Sequence, residues 1–237
     1  MIQMPPIAVL AGGLATRMRP MTEKIPKSMI EVAGEPFVAH QLRLFRREGL
    51  TRVVMCVGYL SEMLEDFVGD GGRFGLQVTY SRDGETLLGT GGALIRALPQ
   101  LGEEFFVTYG DSYLDIPYTP VVQTFHDTGL AGLMTVLHNR GQWDTSNVEF
   151  DGNRIIEYSK QPTDRMEHID FGLSLLKSRV FDGLAKGLTF DLATVYRDLV
   201  AQNQMAGYEV TRRFYEIGSP SGLQEINEYL MAPKNGI

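Results

Sequence analysis

Ile7-Ala8-Val9-Leu10 runs into Ala11-Gly12-Gly13, and Leu14-Ala15-Thr16-Arg17-Met18-Arg19-Pro20-Met21-Thr22 follows, with Pro26-Lys27 four residues further on. Four apolar residues stopped by small ones read as a buried strand that ends in a tight turn. Small side chains let the backbone of such a turn approach a ligand. Its consecutive N–H groups form a nest for an anion. Arg17 can fork onto phosphate oxygens, and Lys27 adds a compact positive charge. Pro20 and Pro26 restrict the loop, which lowers the entropy cost of presenting these cations. Two familiar glycine motifs do not fit. Walker A requires Gly-Lys-Ser/Thr and Lys27 has no preceding glycine, while the dinucleotide fingerprint needs G-x-G-x-x-G and the chain offers only Gly12-Gly13.

Outward from this turn the first half alternates strands and amphipathic helices. Val38, Leu42 and Phe45 recur at helical spacing after Pro36, and Gly49 suits the position just past the helix end. Arg52–Val57 reads as a second strand. Ser61 is the expected N-cap of a short helix carrying Met63, Leu64 and Phe67. Leu76–Tyr80 is a third strand, Gly91–Leu98 a helix, and Phe105–Tyr109 a fourth strand ending at Gly110-Asp111. Near-continuous apolar strands in βα order imply an α/β fold, a doubly wound, mainly parallel sheet covered on both faces.

The second half is richer in strands. Leu133–His138, Asn147–Phe150, Arg154–Tyr158, His168–Leu176 and Glu209–Ile217 are predicted strands, with Asp151-Gly152-Asn153 as a hairpin turn. Ser178 and Asp191 are expected to cap helices over Val180–Leu184 and Leu192–Gln202, and Gly222–Leu230 closes with a helix. No linker-like stretch divides the chain. Residues 1–237 therefore read as one domain, with a first half over 1–115 and a β-rich second half over 116–237.

With 237 residues the chain can bury a full core without disulfides or structural metal. The net charge of −7 argues against nucleic acid or anionic membrane as a partner. That total hides an asymmetry. Residues 1–30 carry Arg17, Arg19, Lys24 and Lys27 against Glu23, a net of +3 that leaves −10 for the remainder. Cys56 is the single cysteine, set in an apolar strand, and reads as inert core. No basic, apolar leader opens the sequence and no run of 18 apolar residues occurs, so a cytoplasmic setting is expected.

Leu10 to Thr22 with Pro26-Lys27 resembles the signature L-A-G-G-x-G-T-R-x-x-P-x-T, then P-K, of the nucleotidyltransferases that join an NTP to a sugar 1-phosphate. Ala15 stands where that family usually has glycine. Three later segments appear in the family's order. Leu88-Gly89-Thr90-Gly91-Gly92-Ala93 resembles the segment that opens a helix beneath the nucleoside, where small residues admit the flat base and Thr90 doubles as N-cap. Gly110-Asp111-Ser112 places a carboxylate at the carboxyl edge of the sheet, where Mg²⁺ is expected. Tyr215-Glu216-Ile217-Gly218-Ser219-Pro220 resembles D-[IV]-G-[TS]-P, with Glu216 in place of the second metal-ligating Asp. The extra methylene leaves direct ligation, ligation through water, or capping of the last helix open.

The resemblance implies a Rossmann-like, GT-A-like fold and a set of site roles. Leu10, Ala11, Gly12, Gly13, Thr16, Glu85, Gly89 and Thr90 would bind the nucleotide, and Arg17, Lys27 and Asp111 would be catalytic. Asp111 and Glu216 would hold Mg²⁺. Glu157-Tyr158-Ser159-Lys160-Gln161-Pro162 looks like a stretched E-K-P, and Asp170-Phe171-Gly172 stands for N-x-G. Glu157, Lys160, Asp170 and Gly172, with Asp111, would therefore face the sugar phosphate. His168 is a lesser candidate there, Trp143 a possible lip over the acceptor, and Asp115 a turn residue before Pro117. The implied partners are an NTP, GTP or UTP foremost, a sugar 1-phosphate, and a second copy of the chain in a homodimer. The length fits the catalytic domain alone. A cytidylyltransferase acting on a non-sugar phosphate and a nucleotide-binding regulator without turnover are the alternatives.

Overall fold

β1 (Ile7–Leu10) lies inside a nine-stranded sheet in the computed structural model, which describes residues 3–13, 18, 20–84, 86–185 and 187–232. Along the chain, a ribbon of β2 (Glu31–Val32) and β3 (Glu35–Pro36) leads into α1 (Phe37–Arg47), β4 (Arg52–Val57), α2 (Ser61–Val68) and β5 (Gln77–Arg82). Next come α3 (Gly89–Leu101), β6 (Glu104–Tyr109), the short β7 (Ser112–Tyr113) and α4 (Thr119–Thr128). The remainder is β8 (Gly132–His138), β9 (Val148–Phe150), β10 (Ile155–Tyr158), β11 (His168–Lys177), α5 (Ala193–Ala201), β12 (Met205–Val210), β13 (Tyr215–Glu216) and α6 (Pro220–Met231).

β1 pairs in parallel with β4 on one side and β6 on the other, and β5 extends the sheet beyond β4. The chain thus travels outward from β1 through β4 and β5, then returns to β6 on the opposite flank. This reversal is a topological switch point, and the carboxyl ends of β1 and β6 diverge there to leave a crevice. Past β6 the sheet turns antiparallel with β11, to which β8 is also antiparallel, and β12 closes that edge parallel to β8. The β9–β10 hairpin continues from the start of β11. Backbone pairing therefore runs unbroken from the first half of the chain into the second.

Alternation along the inner strands sorts side chains onto two faces. Ile7, Val9, Val53, Met55 and Phe106 pack toward α1 and α4, whereas Ala8, Val54, Cys56, Phe105 and Val107 pack toward α3 and α5. Complete burial pushes the Cys56 thiol up to about 12, so it is the inert core residue expected. A third cluster joins Met18, Ile30, Phe37 and Tyr113 to Ile217 and Ile226. It docks α6 beside the turn that follows β1.

Several local expectations change. The stretch read as one strand over Glu209–Ile217 divides into β12 and β13, which belong to different sheets. Ser61 is the first residue of α2 rather than its cap, because the left-handed Leu60 precedes it. Ser178 begins only a short 3₁₀ turn, Ser178–Phe181, and Leu192 takes the cap position of α5, so Asp191 lies one residue outside the helix, its carboxylate accepting the Ala193 N–H at 3.0 Å. Asp115 is no simple turn residue. It is nearly buried, ion-paired with Arg47 and hydrogen-bonded by the Tyr229 hydroxyl, which ties α1 and α6 to the loop after β7. Among the described residues no helix is long and apolar enough to cross a membrane.

Candidate active site

Leu10 and Tyr109 end their strands side by side, and beyond them the crevice widens into a cavity of about 360 Å³. Leu10, Ala11, Gly12, Gly13, Lys27, Gly89, Thr90 and Asp111 all line it, so eight of the residues singled out in the sequence meet in one place. Thr16, Arg17 and Glu85 lie outside the described residues. The turn after β1 is pinned by the Ala11 N–H, which donates to the Cys56 carbonyl at 2.8 Å. A Cβ on Gly12 would come within 3.2 Å of the Gly58 nitrogen, so the turn packs closely against the end of β4.

Pro26 starts a 3₁₀ turn, Lys27–Met29, that delivers the Lys27 ammonium to Asp111 Oδ2 at 2.7 Å. Asp111 follows β6 directly, and three strands of structure hold its loop. Gly110 N–H donates to the Leu10 carbonyl at 2.9 Å, Ile217 N–H to the Asp111 carbonyl at 3.0 Å, and Gln41 to the carbonyls on either side. β13 pairs with β7 so that Glu216 lies opposite Ser112, one residue from Asp111.

The Glu216 carboxylate accepts the Gly218 N–H and, at 2.7 Å, the Ser219 hydroxyl. Ser219 in turn caps α6 by accepting the Gly222 N–H at 3.0 Å. Gly222 is needed here, since a Cβ would fall 2.6 Å from the Glu216 carbonyl oxygen as well as 2.1 Å from its carboxylate. A Cβ on Gly218 would meet the ends of two side chains, Glu216 Oε2 at 2.3 Å and Lys27 Nζ at 2.9 Å, so these two charged groups flank that position, and Lys27 links them to Asp111. No group of three or more His, Cys, Asp or Glu among the described residues forms a metal site by itself. Two neighbouring carboxylates suit Mg²⁺, a hard cation usually held by one or two carboxylates with phosphate oxygens and water completing the shell.

Of the residues predicted to face the acceptor, Lys160 lines a second cavity, of about 290 Å³, with Tyr158, Asp191 and Arg197. Lys160 Nζ donates to Asp191 Oδ2 at 2.7 Å, and Asp191 Oδ1 accepts from the Thr90 hydroxyl at 3.2 Å. Thr90 lines the first cavity, so this relay forms the wall between the two. Thr90 therefore does not cap α3, where it is the second residue. Its oxygen accepts the Leu192 N–H at 2.8 Å and fastens α3 to the start of α5. Gly91 and Gly92 also differ from expectation. A Cβ on Gly92 would fall 2.3 Å from the Leu188 carbonyl oxygen, and one on Gly91 would meet the Phe190 ring, so these glycines admit a crossing strap of chain rather than a nucleobase.

Glu157 is held by Arg165 at 3.1 Å and lines neither cavity described here. Asp170 sits where β11 slips register against β8, a bulge accommodated by Gly172 at φ +91°. Its carboxylate accepts the Gly172 N–H at 2.9 Å, yet burial dominates and pushes the carboxyl up to about 6. His168 stacks on His138 and lies 3.7 Å from Glu209. Trp143 stacks on the Arg213 guanidinium at 3.9 Å.

Sequence reading passed over two residues that line these cavities and a third that supports the Asp111 loop. Asp83 lines the first, nearly buried, with Oδ2 accepting the Leu88 N–H at 3.1 Å; burial raises its pKa. Asp83-Gly84 looked like any turn. Arg197 lines the second and, among the described residues, bonds along its own helix, to Ala193 and Thr194. Gln41 had a visible signal, a polar residue on the otherwise apolar face of Val38, Leu42 and Phe45.

The nucleotidyl transferase family model matches residues 7–232. The chain belongs to that family. It is 30% identical over 222 residues to the N-acetylmuramate alpha-1-phosphate uridylyltransferase of Neisseria meningitidis serogroup B, an alignment covering 92% of this chain and 94% of that protein. It is 27% identical over 219 residues to the mannose-1-phosphate guanyltransferase beta-B of Xenopus laevis, covering 90% of this chain but 61% of that longer protein. The solved structure of HddC from Yersinia pseudotuberculosis complexed with GMP-PN superposes with a TM-score of 0.80 at 20% identity, over 96% of this chain and all of that one. Apo UDP-glucose pyrophosphorylase gives 0.78 at 17% identity, over 96% and 98%. Both share the fold, and family membership explains why the cavity at the switch point gathers the L-A-G-G turn, Lys27 and Asp111.

Proposed function

We propose that this chain joins an NTP to a sugar 1-phosphate, giving an NDP-sugar and pyrophosphate. The Lys27–Asp111 pair, set opposite the Ala11-Gly12-Gly13 turn at the switch point, carries this reading. A phosphate monoester oxygen is already anionic near neutral pH. It attacks the α-phosphorus in line, the bond from that phosphorus to the bridging oxygen breaks, and pyrophosphate leaves with the electron pair. No general base is required, and none of the His residues is assigned one. The work is to bring two anions together and neutralise them.

The Gly12 and Gly13 amides and Arg17 hold the triphosphate, and Lys27 exchanges Asp111 for an α-phosphate oxygen. Asp111, with Glu216 beside it, would hold Mg²⁺, which supplies positive charge against the transferring phosphoryl group. Lys160 and Arg197 attract the acceptor to the second cavity, its phosphate reaches the α-phosphorus when the Lys160–Asp191–Thr90 relay between the cavities opens, and Asp170 accepts from its hydroxyls. GTP and UTP are favoured, because guanine and uracil each present a ring N–H that adenine and cytosine lack, and Asp83 or Glu85 offers a carboxylate to accept it. Residues 1–115 thus serve the nucleotide and 116–237 chiefly the acceptor, in a cytoplasmic enzyme supplied with NTPs.

Pyrophosphate release over four NTPs, each with a panel of sugar 1-phosphates, tests the proposal. Release with GTP or UTP and one or a few sugar 1-phosphates is expected. Turnover only with CTP and a non-sugar phosphate would replace the substrate reading. Nucleotide binding without pyrophosphate from any pair would make the chain a regulator.

A further inference from the structure

Gln41 sits fully buried on α1, far along the chain from the L-A-G-G turn, and its amide is spent entirely on the Asp111 loop. Nε2 donates one hydrogen to the Tyr109 carbonyl and the other to the Ser112 carbonyl, each at 2.8 Å. Those two carbonyls bracket Gly110-Asp111. The remaining polar atom, Oε1, is buried with no hydrogen-bond partner among the described residues. A buried orphan acceptor is destabilising, and an apolar side chain of the same size would avoid it. Its neighbours on that face, Val38, Leu42 and Phe45, are apolar. The fold therefore tolerates an unsatisfied oxygen in order to keep a two-pronged donor at this point.

The prongs fix the loop from beneath. Gly110 presses on the β1 turn from one side, where a Cβ would fall 2.8 Å from Ala11 Cβ. Ile217, next to Glu216, bonds the Asp111 carbonyl from another. Gln41 closes the third side, joining α1 to the loop backbone, whose side chains reach outward to Lys27 at 2.7 Å and within the loop only weakly, Ser112 Oγ to Asp111 Oδ1 at 3.3 Å. We propose that Gln41 is the positioning residue of the site, holding the 109–112 backbone so that the Asp111 carboxylate stays opposite Lys27. This rests on the reading of Asp111 as the residue that serves the triphosphate.

The test compares Gln41→Met and Gln41→Glu with wild type, using pyrophosphate release per folded molecule and amide hydrogen exchange of peptides spanning 109–117. Gln41→Met keeps the length and removes both donors. Turnover is expected to drop about 10–100-fold, as for other partners that orient a first ligand, with the NTP KM moving less than about threefold. Exchange in 109–117 should rise while peptides in β4 and β8 stay as in wild type. Gln41→Glu keeps the shape, and its protonated carboxyl supplies one donor whereas the ionised form supplies none. Its activity relative to wild type should therefore fall as pH rises from about 5.5 to 8, a dependence that a packing role would not produce.

Folded Gln41→Met with wild-type turnover overturns the proposal, whether or not exchange rises. If that variant does not fold, a flat Gln41→Glu to wild-type ratio across pH overturns it. Absence of pyrophosphate from wild type itself would count against the reaction, and the exchange comparison would still decide whether Gln41 staples the loop.

Discussion

Two lysine–aspartate pairs in this protein have the same length and opposite surroundings. Lys27–Asp111 and Lys160–Asp191 both close at 2.7 Å. The first has side chains 19% and 34% exposed, backed by β1, β6 and the amide of Gln41; the second is 75% and 52% exposed at the rim of the second cavity. Water screens the outer pair, so its contribution to stability is about 0–1 kcal/mol. The inner pair is partly desolvated, and removing one partner strands the other's charge. Equal geometry therefore gives unequal energetics. The inner pair keeps both charges poised at the first cavity until the triphosphate takes Lys27 over, and the outer one is free to open for an incoming phosphate.

Asp111→Asn gives the largest expected effect, because it removes charge where the transferring phosphoryl group gathers it. Turnover should fall about 100–1000-fold, and the melting temperature should drop as well because Lys27 is left without its partner. Steady-state pyrophosphate assays alongside a thermal melt check this, and near-wild-type turnover would erase the distinction between the pairs. Gly92→Ala attacks what joins the two cavities, since the new Cβ meets the Leu188 carbonyl at 2.3 Å. A loss of about 2–3 kcal/mol is expected in urea titration, with the midpoint shifted at unchanged m-value.

Asp170→Asn tests the buried acid between the halves. The carboxyl titrates near 6 in the fold, above its ordinary 3.8, so the folded state resists losing the proton. Below the ordinary value both states are protonated and the group has no effect on stability relative to Asn. As pH rises from 3.8 to about 6 the unfolded chain loses its proton first and is increasingly favoured, and above 6 the cost is complete. Asn removes it, so the variant should be more stable than wild type by about 3 kcal/mol at pH 7.5 and equal to it near pH 3.5. Equal melts at pH 7.5 would place the carboxyl in contact with solvent. Lys160→Ala is the mildest: the acceptor KM rises about fivefold, while the NTP KM and the melting temperature stay put.

Much of this was legible beforehand because it depends on local pattern. Ile7–Leu10, Val53–Val57 and Phe105–Val107 are apolar without interruption, and a strand buried on both faces leaves that signature. The L-A-G-G turn, Lys27, Gly89-Thr90 and Asp111 converge because each lies at an element end on the switch-point side. Failures cluster where a residue's partner is remote. Gly91 and Gly92 are small on account of Leu188 and Phe190, about a hundred residues away, and Thr90 is committed to the start of α5. Glu209–Ile217 kept its strand-like pattern, but its two ends pair with β8 and β7, which lie in different sheets.

The sequence by itself determined the layer order, the parallel inner strands, the family and the cationic turn, because backbone period, small residues and charge are properties of short segments. Tertiary structure alone decided that Lys160 opens onto a separate cavity, that Asp191 and Thr90 form the wall between the two, and that Gln41 supports Asp111. Those depend on which carbonyl or carboxylate lies within about 3 Å of a donor, a distance set by the packing of helices on the sheet rather than by neighbours along the chain.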